Sequence, residues 1–587
     1  MISAFEQQSS RNVIELYVDI AVDGSSSVPL QIINLNLSIS QQNDNTGVSC
    51  DRVEVRNDVD EDNEDSDYES DTDGDDEADI SLDSSSSTNA EGMVNEEPSI
   101  HISLIQERIY AQFGYKISYK KAWMAKQKAI VKVFGDWDES YATLPHWLEY
   151  MQLHAPGSVY KVETKEYVAS HQVDNRYRVF ERVFWSFKQC HEAFKFCKPL
   201  LQVDGTFLYG KYCHTLLIAT TQDGNNCVLP IAFAIVEGET LSAWEWLLAL
   251  IRLHVTDKSG ICLISDRHQS IKGAVSNPHI GWQPPNAYHV YCIRHIASNF
   301  NHRFKNIALK KDLIKLGYTP SKVIFEQKLS RFRNESEDIQ RWIDCISKEK
   351  WALCYDDDGR RYGHMTTNLS EAVNKVFKGA RNIPITALVK ATYGRLVEYF
   401  VKRGEEAISD LQNGNIFCRT VMLQIQKNQQ EASSHQVRRY DVHRKTFEVK
   451  EAFNPITQRG GHKWTVILDR RYCECGRFQS YRYPCSHVIA ACIAVSLNFW
   501  QYVDPVYSIE YVVNAYSPQW RPLGNECNIH TNSEWKLVPD IERARAKRRP
   551  KSTRIRNEID WVESQTRQRC SRCNEVGHNR RHCRQQN

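Results

Sequence analysis

Two apolar runs that each stop on an aspartate constrain this chain most. Leu200-Leu-Gln-Val-Asp204-Gly and Ile261-Cys-Leu-Ile-Ser-Asp266 read as buried strands, each delivering a carboxylate to the edge of a sheet. A carboxylate so placed is costly to desolvate unless it is paired or holds a cation. Between the two, His214 to Thr221 and Cys227 to Val236 are further apolar runs, joined by the hairpin-type turn Gln222-Asp-Gly-Asn-Asn226. Leu241, Trp244, Leu247, Leu248 and Ile251 then recur at helical spacing, which predicts a helix whose apolar face covers the sheet.

Three antiparallel strands, a helix and a fourth strand, with acids closing the first and fourth, resemble the ribonuclease H-like core of DDE transposases, an α/β fold with a mixed sheet and flanking helices. Val203-Asp-Gly-Thr-Phe, Gly238-Glu-Thr, Ala243-Trp-Glu-Trp246 and Ile264-Ser-Asp-Arg267 look like the Mutator-like element (MULE) transposases of plants. The similarity runs from about Ser118 to the C-terminus. It implies metal-dependent strand cleavage at transposon ends, then transfer of the freed 3′ hydroxyl to target DNA.

Such chemistry takes two divalent ions, Mg²⁺ or Mn²⁺, about 4 Å apart on carboxylate ligands. Asp204 and Asp266 suit this because adjacent parallel strand ends would bring them together; the bland alternative is two aspartates capping loops. For the third acid, the family's Asn-x-Ser-Glu pattern points to Asn368-Leu-Ser-Glu371. The same spacing is a capping box, which would explain Glu371 without chemistry. Asp356, Asp357 and Asp358 are further alternatives. The long interval before Glu371 implies a mainly helical insertion, in which Cys292-Ile-Arg-His295 matches the family's Cys-x-x-His element. By resemblance that pair supports the active site; by itself it reads as packed core.

Two Cys/His arrays stand downstream. Cys473, Cys475, Cys485 and His487 form a C-x-C-x9-C-x-H array that resembles the SWIM zinc finger and suits a closed tetrahedral Zn²⁺. Cys570, Cys573, His578 and Cys583 look like a CCHC zinc knuckle, a second Zn²⁺ site of a kind that grips single-stranded nucleic acid, with Arg572, Arg580 and Arg581 facing phosphates. The alternative for the knuckle is a protein-binding module.

Charge is segregated along the 587 residues. Residues 51–79 carry 16 acids and two arginines, whereas residues 541–587 carry 14 basic residues and five acids. The first reads as a disordered spacer or an acidic interaction segment. The second, with Arg548 and Arg549 in its basic run, suits nuclear import and contact with DNA. No apolar run reaches the roughly 18 residues of a membrane span, and the first residues lack the order of a secretory signal, so an intracellular chain with thiols and metal sites rather than disulfides is expected.

The expected order is a small module at 1–50, the spacer at 51–97, a basic helical segment at 98–170, the transposase domain with its insertion at 171–400, a helical linker at 401–462, the SWIM finger at 463–500, a basic linker at 501–565 and the knuckle at 566–587. In the basic segment Ser118 caps a helix with Trp123, Gln127, Ile130 and Phe134 on one face, while Lys121 and Lys126 belong to a lysine cluster read either as a phosphate-contacting or as a plain surface helix. Tyr160 to Cys197 reads as an aromatic-rich helical lead into the sheet. Residues 80–117 hold no cysteine and only His101, so the Cys/His DNA-binding domain usual in the family is not expected there. The competing function is a domesticated, catalytically silent relative that binds DNA and regulates transcription; self-association is open in either case.

Overall fold

The computed structural model describes residues 91–545, apart from 96, 99, 115, 442, 444, 454–459 and 524–534. The module at 1–50, the spacer up to residue 90, Arg548, Arg549 and the whole knuckle with Cys570, Arg572, Cys573, His578, Arg580, Arg581 and Cys583 lie outside the described residues.

The strands are β1 (Val159–Ala169), β2 (Gln172–Ser186), β3 (Leu200–Phe207), β4 (Thr215–Gln222), β5 (Val228–Val236), β6 (Ile261–Ser265), β7 (Ala287–Tyr291), β8 (Gln436–Asp441), β9 (Thr446–Lys450), β10 (Lys463–Ile467), β11 (Tyr472–Cys473) and β12 (Lys536–Val538). One sheet has the order β1-β2-β5-β4-β3-β6-β7, with β12 added to β2. β3, β4 and β5 are antiparallel, as the turn at Gln222–Asn226 predicts, and β6 and β7 continue the sheet parallel to β3. Every residue of β4, β5 and β6 is buried. Such strands read as continuous apolar runs because the sheet is covered on both faces.

The helix Leu241–Leu250 starts at Thr240, whose side chain accepts from the Ala243 amide, and buries Trp244, Leu247 and Leu248. After β7, the helices Ile293–Phe304, Ile307–Gly317, Lys322–Arg333 and Glu337–Asp344 form the expected helical insertion, with its own core around Phe300, Phe325 and Trp351. The long helix Ile385–Gln412 returns to the main core, where Thr392 accepts from the buried Trp185 indole at 2.9 Å.

Several expectations give way. Tyr160 to Cys197 is mostly the β1–β2 hairpin, with only Lys188–Phe194 helical. The C-terminal half of β2 is enclosed between β1 and β5, so Val183, Phe184 and Trp185 are all buried and the run loses the alternation that marks a strand. Helix in the 401–462 stretch ends at Ala432; β8 and β9 then join β10 and β11 in a second sheet. The stretch expected as a basic linker contributes the helix Ile509–Tyr516 and strand β12 to the main fold, because Val512, Ala515, Tyr516 and Leu537 are apolar enough to enter its core. Residues 91–95, at the end of the expected spacer, are helical and bury Met93 and Val94.

Ser118 caps the helix Tyr119–Phe134 as expected, but the buried face is Ala122, Ala125, Ala129 and Ile130, with Trp123 exposed. Lys126 Nζ donates to Ile100 O at 2.6 Å, and Lys132 pairs with Glu91. These two lysines hold the chain's own preceding segment, and Lys121 stands half-buried in the first turn. No helix among the described residues is long and apolar enough to cross a membrane.

The second sheet shares a core with Ile425, Val488, Ile489, Val506 and Tyr507. This module presses on the β4–β5 turn: a Cβ at Gly224 would run into Val506 O. Beside that turn, buried Lys198 donates to Gln222 Oε1 and Asn226 Oδ1, both at 2.6 Å, and lies 5.4 Å from the Tyr507 ring centre.

Candidate active site and metal centre

β3 and β6 run parallel, from Leu200 opposite Cys262 to Gln202 opposite Ile264. Two residues further along each chain stand Asp204 and Asp266: Asp266 just past the end of β6, and Asp204 inside β3, which runs on to Phe207 paired with β4 rather than stopping on the acid as the sequence suggests. Glu371 comes from the helix Asn368–Val376, which crosses β3, β4 and β5 and buries Leu369, Ala372 and Val373. From the same helix Asn374 Nδ2 donates to Asp204 Oδ2 at 3.1 Å. Asn368 Oδ1 is buried and accepts no hydrogen bond, so the capping box allowed by the spacing is not formed.

Burial pushes the Asp204 carboxyl well above the usual carboxylate range; His295 opposes that shift, while Glu371, Glu239 and Asp266 reinforce it. The other two expected acids therefore stand near enough to act on Asp204. Among the alternatives, Asp356 is tied to Arg361, whose amide donates to its Oδ2 at 2.9 Å, and Asp357 and Asp358 are exposed.

Cys292 and His295 are at this pocket too. The Cys292 amide donates to the carbonyl of Ser265, the residue before Asp266, at 2.8 Å, and its Sγ accepts from the Thr367 amide at 3.3 Å. Burial alone would raise the Cys292 thiol, but hydrogen bonds with His295 and Thr367 hold it below its ordinary value. Burial alone would lower His295, but Cys292, Asp204 and Glu371 lift it to about 10. His295 thus offsets part of the acids' charge, and buried Cys292 is hydrogen-bonded to it.

One acid at the pocket was not singled out from sequence. Glu239 follows β5 closely, and a Cβ built on Gly205 would lie 2.8 Å from both its Cδ and its Oε1. Burial raises its carboxyl, Asp266 adds to the shift, and His268 and His295 oppose it. The available signal was positional: like Asp266, it stands just past the C-terminal end of an apolar strand of the same sheet.

Asp204, Asp266 and Glu371 offer the hard oxygen ligands that Mg²⁺ or Mn²⁺ take. A strongly raised carboxyl among like charges is also what crowded acids show without a cation between them. The set is less tightly gathered than the second site. Among the described residues, Cys473, Cys475, Cys485 and His487 are the one group of three or more Cys, His, Asp or Glu side chains whose ligand atoms all lie within 4.8 Å of one another.

That second group is built by β11, the short helix Arg477–Tyr481 and the start of the helix Ser486–Ile493. The Cys473 and Cys475 sulfurs are 3.3 Å apart, those of Cys475 and Cys485 are 3.6 Å apart, and His487 Nδ1 lies 3.6 Å from Cys473 Sγ and 3.8 Å from Cys485 Sγ. Zn–S bonds of about 2.3 Å in a tetrahedron place sulfurs about 3.8 Å apart, so the group fits a closed structural zinc. His487 Nε2 meets Glu451 Oε1 at 2.9 Å, and Trp464 Nε1 donates to the same oxygen at 2.8 Å. Burial raises the Glu451 carboxyl, but these two bonds outweigh it and hold it down at about 2.

The fold and its two sites define a mixed α/β protein whose largest sheet ends on an acidic pocket, joined to a zinc-binding module. Residues 200–299 match the MULE transposase domain and residues 464–496 match the SWIM zinc finger. The chain thus carries both domains, consistent with a Mutator-like transposase family. No curated protein matches it.

Proposed function

We propose that this chain is a metal-dependent DDE transposase of the Mutator-like group, with a ribonuclease H-like core that cuts and joins DNA. The observation that carries the reading is the β3–β6 register, which sets Asp204, within β3, beside the C-terminal end of β6, where Asp266 follows, with the helix bearing Glu371 packed on β3. These three carboxylates would hold the divalent pair, which when bound activates water and neutralises charge on the attacking and leaving oxygens. Asn374 holds the Asp204 carboxylate in one orientation. His295 balances part of the pocket's negative charge.

The zinc module and the basic C-terminal stretch would supply DNA contact in the nucleus, with transposon ends and target DNA as partners. An acidic pocket retaining all three carboxylates favours cleavage over a silent, DNA-binding regulator. The deciding experiment incubates the recombinant full chain and Mg²⁺ or Mn²⁺ with DNA carrying the cognate element ends. Metal-dependent nicking that disappears in Asp204→Ala supports the enzyme, and equal nicking by that variant removes it.

A further inference from the structure

We infer that Glu239 is a fourth carboxylate ligand of the divalent-cation site, on the β5 side of Asp204, a position the DDE pattern does not assign. The inference rests on the transposase reading and deepens it.

The local chain separates two nearby acids into different jobs. Glu237 is spent on structure: its carboxylate accepts from Arg182 Nε at 2.7 Å, from Arg182 Nη2 at 2.6 Å and from Thr240 Oγ1 at 2.8 Å. Thr240 in turn caps the helix Leu241–Leu250 by accepting from Ala243 N at 3.1 Å. Glu239 is half-buried and makes no hydrogen bond or ion pair with any described residue, and its carboxyl group lies against Gly205, the residue after Asp204. Any side chain at residue 205 would displace it, so the glycine is what admits this carboxylate to the pocket.

A half-buried carboxylate that makes no hydrogen bond or ion pair, set among other acids and offset only in part by His268 and His295, destabilises a protein. Its position is explained if a hard cation sits between it and the aspartates, since Mg²⁺ and Mn²⁺ take carboxylate oxygens and draw like charges together. The matched transposase segment also contains Asp204, Glu239 and Asp266, whereas Glu371 lies beyond it.

The test uses the zinc-loaded full chain and Mn²⁺ alone, with affinity measured by calorimetry and thermal unfolding followed in its presence and absence. Glu239→Gln is expected to weaken Mn²⁺ binding by about tenfold or more, to raise the cation-free Tm by relieving repulsion, and to shrink the Tm gain on adding Mn²⁺. Glu237→Gln, which breaks the structural pair with Arg182, should lower Tm and leave Mn²⁺ affinity unchanged. Wild-type Mn²⁺ affinity in Glu239→Gln overturns the inference; if Asp204→Asn still loses the ion, the transposase reading stands without it. Absence of Mn²⁺ binding by the wild-type chain overturns both.

Discussion

His487 Nε2 lies 2.9 Å from Glu451 Oε1, while Nδ1 of the same ring faces the sulfurs of Cys473 and Cys485. One ring nitrogen is thus committed to a carboxylate and the other to the metal position, which fixes ring orientation before any ion arrives. Glu451→Gln should weaken zinc binding by about 10- to 100-fold, read by competition with a chromogenic chelator. Cys485→Ser should abolish stoichiometric zinc, measured by elemental analysis.

Asn374 gives a subtler handle on the acidic pocket than the acids do. Asn374→Ala removes the hydrogen bond to Asp204 Oδ2 and no charge. On the transposase reading, nicking should slow by about tenfold while thermal stability changes little. An unchanged nicking rate would remove Asn374 from a positioning role.

Gly476 is pinned by geometry. It holds φ of +80°, and a Cβ there would run into Pro320 O of the helical insertion. Gly476→Ala should cost about 2 kcal/mol or more, measured by urea denaturation. The loss should extend to the insertion, since the obstacle belongs to that part of the chain.

Two histidines make stability depend on pH. Burial, with help from Lys350 and Lys272, lowers His289 to about 3, and burial, with help from His254 and Lys195, lowers His191 to about 4. Both lie below the ordinary 6.5, so below that pH the unfolded chain binds protons that the folded chain refuses. Their contribution is full above pH 6.5 and falls as pH drops, by about 1 kcal/mol per pH unit for each histidine, levelling off near 4 for His191 and near 3 for His289. Urea melts at pH 7 and pH 5 should show the fall, and His289→Gln should make it shallower.

The sequence is most legible where structure is set locally. The strands that carry Asp204 and lead into Asp266, and the Gln222–Asn226 turn, could be read because each apolar run and its turn are contiguous, although β3 runs on past Asp204 to Phe207. The Cys473–His487 array was legible because its ligand spacing is short and chemically particular. Pairing across long separations was not legible: β12 joins β2 across more than three hundred residues, and nothing in Lys536-Leu-Val announces a strand. Glu239, although part of the Gly238-Glu-Thr motif, was given no role for a related reason, because it faces Gly205 on a different strand. Glu371 sits between these cases. Its helix start could be read, but only the unpaired Asn368 Oδ1 shows that capping does not account for it.

Gly224 packed beneath Val506, with Lys198 wedged beside Tyr507, has a practical consequence. The zinc-binding half is no bead on a flexible string; it props the hairpin whose strands lead to the acidic pocket. On the transposase reading, a zinc-selective chelator should therefore slow strand cutting even with Mg²⁺ in excess.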